Sequence, residues 1–179
     1  MREPTIARNY AQALFDAGER SGDTERFAAL LEAVAGAIEA DDRIRVALDS
    51  PRVPKTLKQR VLHQALQHRA PEAFIRFLGA VVKRGRQGIL AVINQEYHGL
   101  LDLKLNRVHA GVILARKPDK RLLDSIRRRL SAAIGKEVIP HVREDPRILG
   151  GIVVRVGDRV MDGSVRRKMA QLRRQMLGI

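Results

Sequence analysis

The 179-residue chain contains no cysteine or tryptophan, and only 3% of its residues are aromatic. The lack of cysteine excludes disulfides, thiolate metal sites and cysteine nucleophiles, and a core built from aliphatic side chains favours helices. The net charge of +14 is uneven: residues 1–50 sum to −4, whereas residues 107–179 carry 18 basic and 7 acidic side chains, a balance of +11. The basic C-terminal part predicts an acidic partner: nucleic acid, anionic lipid or an acidic protein surface.

The first hundred residues show the spacing of consecutive amphipathic helices. Ile6, Tyr10, Leu14 and Ala17 recur at intervals of four, four and three, which predicts one face of a helix that begins near Pro4. Six such helices, joined by short polar breaks, predict a bundle over residues 1–106. The later stripes are Phe27, Leu30, Leu31, Val34 and Ile38; Ile44 and Leu48; Leu57, Val61, Leu62 and Leu66; Phe74, Phe77, Leu78, Val81 and Val82; and Ile89, Val92, Ile93, Tyr97, Leu100, Leu101 and Leu105.

The period changes at residue 107, which predicts a smaller α+β domain over residues 107–179. Alternation in RVHAGVILAR predicts a strand, EVIPHV a proline-interrupted edge strand, and GIVVRV with RVM a hairpin. A helix follows KPDK and ends at Gly135, with an inward stripe of Leu122, Leu123, Ile126, Leu130 and Ile134. A last helix begins at Ser164, and the apolar face that we expect against the sheet comprises Val165, Met169, Leu172 and Met176.

The stretch GDRVMDGSV at residues 157–165 has the composition of a ligand-binding loop, but its spacing fits a turn. A calcium loop needs alternate carboxylates and a final Glu, where this chain has Val160 and Met169. A phosphate loop needs Lys and Ser or Thr after its second glycine, and that pattern is also unmet. We expect a hairpin turn followed by a helix cap, with Val160 pointing into the core. The turn and cap residues are Gly157, Asp158, Asp162, Gly163 and Ser164.

No group of residues has the spacing of an active site or a metal centre. The five histidines are scattered, and none has another histidine four positions away. We therefore expect a protein without catalytic residues, metal or cofactor. The arginine runs at 127–129, 166–167 and 173–174 lie opposite apolar stripes. A solvated face, an acidic protein partner and nucleic acid are the alternatives for these runs, although aromatic side chains that stack on bases are almost absent.

Two stretches, IARNYAQALFDAG near the start and LGGIVVRVGDRVMDGSVRRKMAQL near the end, resemble the delta subunit of the bacterial ATP synthase. The mitochondrial counterpart of that subunit is the oligomycin-sensitivity-conferral protein. FIRFLGAVVKRGRQGIL also resembles the family's fifth helix, so the resemblance covers essentially the whole chain. It implies a six-helix N-terminal domain, a small α/β C-terminal domain and a non-catalytic role that ties the catalytic head to the peripheral stalk.

The resemblance also implies partners. The family's bundle docks the amphipathic N-terminal helices of the head's alpha subunits in a groove between its first and fifth helices, and its C-terminal domain meets the ends of the stalk's b subunits. Carried onto this sequence, the head-facing positions are Tyr10, Ala11, Leu14, Phe15, Leu78, Val81 and Val82. Packing within the bundle explains each of these positions equally well. The basic positions expected at the stalk are Arg166, Arg167, Arg173 and Arg174.

The chain has no apolar run near the roughly 20 residues that a membrane-spanning helix needs. MREPTIARNY has acidic and polar residues where a signal peptide needs an apolar stretch. We therefore expect any membrane association to come through a partner. The resemblance implies that this partner is the ATP synthase complex at the cytoplasmic face of the bacterial inner membrane, and it implies no nucleic-acid partner. A basic nucleic-acid-binding helical protein is the alternative, and salt separates the two, because phosphate contacts weaken steeply with salt whereas apolar docking does not.

Overall fold

A computed structural model of the chain describes residues 3–177, which form eight α-helices and four β-strands. The chain divides into two compact units, Met1–Asp102 and Leu103–Ile179. The first unit is helical, and the second contains a four-stranded sheet. The described part is therefore mainly helical with a small sheet towards the C-terminus, as the sequence predicts.

Six helices precede residue 105: α1 (Glu3–Ser21), α2 (Thr24–Ala40), α3 (Asp42–Asp49), α4 (Lys55–Leu66), α5 (Glu72–Lys83) and α6 (Leu90–Lys104). Pro54 and Pro71 stand directly before α4 and α5, where proline's fixed φ suits a helix start. Asp41 separates α2 from α3 and caps α3, because its carboxylate accepts a hydrogen bond of 2.8 Å from the Arg43 N–H. A short 3-10 turn, Gln87–Ile89, leads into α6.

Tyr97 of α6 lies at the centre of the helical unit. Its side chain is fully buried, and its hydroxyl donates a 3.0 Å hydrogen bond to the Thr24 carbonyl. Burial, and secondarily the Glu19 carboxylate, raise the pKa of Tyr97 far above its usual range, so the hydroxyl stays protonated. The ring meets Phe15 edge-on at 5.6 Å between centroids. The other large, fully buried side chains of this unit are Leu14, Phe27, Leu31, Phe74, Leu78, Val81, Val82 and Ile93.

The stripes of α3 and α4 are only partly buried. Leu48 is buried as expected, whereas Ile44, which we expected to face inward, is exposed, so that expectation is wrong. Leu57 and Val61 of the α4 stripe are exposed as well. They line an apolar cavity of about 390 Å³ between the two short helices. Lys58 joins the helices, because its buried ammonium donates to the Leu48 carbonyl and, at 2.9 Å, to the Ser50 carbonyl.

The C-terminal sheet has the strand order β2-β1-β3-β4, with β1 (Arg107–Leu114), β2 (Glu137–Glu144), β3 (Ile152–Val156) and β4 (Arg159–Asp162). Helix α7 (Lys120–Ile134) connects β1 to β2, which run parallel, and the other two pairs are antiparallel. The predicted edge position of the proline-containing strand is confirmed, since within residues 3–177 β2 pairs only with β1. The predicted C-cap is also confirmed: Gly135 ends α7 in the left-handed conformation, with φ 72°.

One face of the sheet forms the core with α7. Its buried side chains are Ala110, Val112, Leu114, Val138 and Val154, together with Ile126 of α7. Leu122, expected to face inward, is exposed in the first turn of α7. Val160 is 58% exposed, so its predicted core position is wrong. The strand register explains this, because Val160 pairs with Arg155 and cross-strand partners share a face, here the one opposite Val154.

The last helix, α8 (Val165–Leu177), has no buried residue. Its expected packing against the sheet is therefore wrong: the apolar face leaves Val165, Met169, Leu172 and Met176 exposed, the last by 87%.

Candidate functional site

The seven positions assigned to head docking lie on α1 and α5, and six of them are interior. Tyr10 is partly exposed. The other six side chains are buried within the helical unit. A docking partner would therefore contact the more exposed residues next to them on α1 and α5. The interior six are Ala11, Leu14, Phe15, Leu78, Val81 and Val82.

Tyr10 and Phe77 join α1 to α5 at the surface. Their rings meet edge-on with centroids 6.2 Å apart, and the Arg86 guanidinium carbon lies 5.6 Å from the Tyr10 ring centroid. The Tyr10 hydroxyl is buried, and within the described residues it has no hydrogen-bond partner. Ala13 and Ala80 follow the two aromatic residues by one helical turn and are exposed. We call Tyr10, Ala13, Phe77 and Ala80 the α1–α5 face.

The stretch 157–165 forms a turn and a cap. Gly157 has φ 56°, and the pairing of Val156 with Arg159 leaves Gly157 and Asp158 as a two-residue hairpin loop. Glycine at the first loop position is what a type II′ turn requires. The loop therefore has a structural explanation that needs no ligand.

Ser164 caps α8 from a buried position. Its hydroxyl accepts a 3.1 Å hydrogen bond from the Arg167 N–H, and Asp162 accepts a 2.9 Å bond from the Ser164 N–H. Hydrogen bonds from Ser164 lower the pKa of Asp162, with smaller contributions from Arg167 and Arg166. The cap is tied to the sheet because the Gly163 N–H donates to the Ile152 carbonyl at 2.9 Å.

Two glycines outside the predicted turn and cap hold the start of α8 against the chain before β3. The Gly150 carbonyl accepts a 3.0 Å hydrogen bond from the Val165 N–H. Gly151 has φ 78°, and a Cβ there would lie 2.4 Å from the Gly163 carbonyl oxygen. The close approach of two backbones thus requires glycine at residue 151.

Leu149 is a leucine in the left-handed region, with φ 64°, and it is 66% exposed. Such a conformation is strained for a bulky residue and persists only when the surroundings fix it. Here it ends the 3-10 turn Pro146–Ile148, which Asp145 caps by accepting a 3.0 Å hydrogen bond from the Arg147 N–H. The Arg147 guanidinium donates to the same carboxylate at 2.9 Å and lowers the pKa of Asp145 to about 2.

The exposed apolar side chains of α8 and the nearby Leu149 form an apolar surface with a basic border. We call Leu149, Val165, Met169, Leu172 and Met176 the α8 surface. Gly150 lies against Val165, because a Cβ built at residue 150 would be 3.2 Å from Val165 Cγ2. The preceding residue, Leu149, is therefore near the start of α8. The basic residues expected at the stalk, Arg166, Arg167, Arg173 and Arg174, are exposed on the same helix.

Neither surface has the features of a catalytic or metal centre. Residues 3–177 contain no group of three or more His, Cys, Asp or Glu side chains that could hold a metal ion. No helix in the same range is long and apolar enough to cross a membrane.

The chain matches known proteins over nearly its full length. It is 47% identical over 174 residues to ATP synthase subunit delta of Gemmatimonas aurantiaca, covering 97% of this chain and 94% of that protein. It is 32% identical to ATP synthase subunit delta of Desulfotalea psychrophila, covering 99% of each. A chain of the Toxoplasma gondii mitochondrial ATP synthase hexamer has the same fold, with a TM-score of 0.67 and 21% identity over 96% of this chain and 97% of that one.

The family match spans both compact units. The sequence pattern of the ATP synthase delta (OSCP) subunit matches residues 6–176, from the first turn of α1 to the end of α8. Helical unit, small sheet and capped final helix all lie within this one match. The chain therefore belongs to the ATP synthase delta (OSCP) family, whose members are components of the peripheral stalk of ATP synthase.

Proposed function

We propose that this chain is the non-catalytic connector that ties the catalytic head of a bacterial, proton-translocating ATP synthase to its peripheral stalk and resists the torque of the rotor. The observation that carries the proposal is the family match over residues 6–176. The uncovered apolar surface on each of the two units supports it, since a connector needs two separate docking sites. The complex would hold the chain at the cytoplasmic face of the inner membrane.

Helices α1–α6 act in this proposal as one bundle that docks N-terminal helices of the head's alpha subunits. The α1–α5 face has the chemistry for such a helix: two aromatic rings are flanked by the small side chains of Ala13 and Ala80. Small residues permit close approach, while aromatic anchors supply most of the binding free energy. The buried residues Leu14 and Val82 then shape the floor of the groove.

The test must change the α1–α5 face without disturbing the interior. Leu14→Asp is unsuitable, because Leu14 has no accessible surface and the variant would unfold the helical unit. Ala80→Arg places a long charged side chain on the face and should weaken binding to the isolated catalytic head by about 2 kcal/mol or more in calorimetry. Ala37→Arg, at an exposed alanine of α2, is the matched control. Equal affinities for the two variants would remove the α1–α5 face from the head interface.

The C-terminal unit meets the ends of the stalk's b subunits through the α8 surface. An amphipathic helix with acidic borders fits it, because its apolar side would cover Met169 and Leu172 while its carboxylates meet Arg173 and Arg174. A helix of 13 residues with no buried side chain gains little from packing in the chain alone. A partner helix would supply the missing apolar contact.

A further inference from the structure

His109 of β1 and His141 of β2 form a pair on the face of the sheet opposite α7. His109 Nδ1 lies 2.7 Å from His141 Nε2, the ring centroids are 4.9 Å apart, and the ring planes differ by 24°. The centroid separation is close to the sum of the nitrogen–nitrogen distance and the two ring radii, so the two nitrogens point at each other. Both side chains are exposed. The pair is therefore open to solvent.

The parallel register of the two strands brings the histidines together. His109 pairs with Ile139, and Gly111 pairs with His141. Because alternate residues share a face, the two imidazoles are diagonal neighbours. Gly111 has no side chain between them, and a Cβ there would find its nearest neighbours, atoms of Arg155, only at 3.9 Å. The sheet surface beside the two rings is therefore open at residue 111.

We propose that His109 and His141 chelate a divalent transition-metal ion of the group that imidazole prefers, Cu²⁺, Ni²⁺ or Zn²⁺. Two nitrogens about 2.05 Å from one ion lie roughly 2.9 Å apart at the right angle of a tetragonal Cu²⁺ or Ni²⁺ site, and roughly 3.3 Å apart at the tetrahedral angle of Zn²⁺. The observed separation is 2.7 Å with the two nitrogens facing each other, so each ring must turn by about 45° for its lone pair to point at a shared Cu²⁺ or Ni²⁺ ion. The ring that donates the hydrogen bond moves its proton to its other nitrogen, and both facing nitrogens then present lone pairs.

The two imidazole nitrogens determine which ions bind. No third His, Cys, Asp or Glu completes a cluster within residues 3–177, so water fills the remaining coordination positions. Glu137, the carboxylate on the same strand and face as His141, is engaged by Arg107 at 2.9 Å and by Arg127. Mg²⁺ and Ca²⁺ prefer oxygen ligands and are not held.

The test is calorimetric titration of the full chain at neutral pH with the chlorides of Cu²⁺, Ni²⁺ and Zn²⁺, and with Mg²⁺ as the negative ion. We expect one tight equivalent of transition metal, reversed by a chelator. Removing either ligand abolishes chelation, so His109→Gln and His141→Gln should each weaken binding on the order of 100-fold. His68→Gln, an exposed histidine on the connection after α4, is the matched control and should leave the affinity unchanged.

Spectroscopy of the copper-loaded protein provides a readout that a structural effect of the substitutions would not move. Electron paramagnetic resonance should show two imidazole nitrogens in the wild type and in His68→Gln, and fewer in the other two variants. The proposal is overturned if the wild type binds no transition metal up to millimolar concentration. It is equally overturned if His109→Gln binds copper as tightly as the wild type does.

Discussion

Gly151 and Gly157 both have positive φ, yet they hold their conformations for different reasons. At Gly151 two backbones approach closely, because a Cβ would lie 2.4 Å from the Gly163 carbonyl oxygen. At Gly157 nothing lies within 4 Å of the position that a Cβ would take. Gly151 is required both because its φ is positive and because a side chain there would clash with the Gly163 backbone. Gly157 is required only because its φ is positive.

Alanine substitutions at residues 151 and 157 separate the cost of the backbone conformation from the cost of the steric contact. Gly157→Ala should cost about 2 kcal/mol of unfolding free energy, because alanine is strained at the first loop position of a type II′ turn. Gly151→Ala adds a clash with the backbone and should cost at least about 3 kcal/mol. Urea denaturation of the two variants measures the difference. Equal losses would show that the start of α8 is not clamped at Gly151.

Asp145 makes the stability of the folded chain depend on pH. The hydrogen bonds from Arg147 lower its pKa from 3.8 to about 2. A carboxylate with a lowered pKa in the folded state stabilises that state above its unfolded pKa, and the contribution disappears as pH falls from about 4 towards 2. Asp145→Asn should therefore be less stable than wild type at pH 7, by a margin that shrinks over this interval. NMR titration of the carboxyl carbon should show the pKa rising in Arg147→Gln, and an unchanged value would contradict the pairing.

Among the helices and strands, most of the buried core of each unit is predictable from the sequence, and the exposed face of α8 is not. Periodicity locates the helices and strands, and Pro140 correctly predicts an edge strand. Periodicity cannot tell whether an apolar stripe packs within its own chain, so it places α8 on the sheet although none of its residues is buried. The predicted position of Val160 is wrong for a related reason, because its face depends on pairing with Arg155.

The α8 surface makes a prediction at the same scale. Leu172→Asp introduces a charge into the proposed apolar contact and should weaken binding to the ends of the b subunits by at least about 2 kcal/mol. Gln171→Asp, an exposed neighbour about 100° around the helix, carries the same charge and should have little effect. Both variants should keep the wild-type melting temperature, since neither side chain is buried. Surface plasmon resonance with peptides from the C-terminal ends of the stalk's b subunits measures both affinities, and a loss that is equal in the two variants would favour a purely electrostatic contact.

At the scale of the whole molecule, the sequence predicts the family and the two-part architecture, while strand pairing and exposed surfaces emerge only in three dimensions. His109 and His141 are 32 positions apart, and their contact depends on a parallel register that local spacing does not encode. The head-facing positions show the same limit. Leu14 and Val81 carry the helical stripe, but only the packed unit shows that they are interior and that Phe77 and Ala80 lie at the surface.

We propose that this one chain joins the head to the stalk through two independent surfaces, the α1–α5 face and the α8 surface. The direct measurement immobilises the catalytic head and records how much soluble stalk, made of the b subunits, it captures with and without this chain. We predict capture only when the wild-type chain is present. The Ala80→Arg variant should no longer bind the head but should still bind the stalk in solution. The Leu172→Asp variant should bind the head but capture no stalk. Wild-type capture by the protein carrying both substitutions, or capture without this chain, would contradict the proposed connector role.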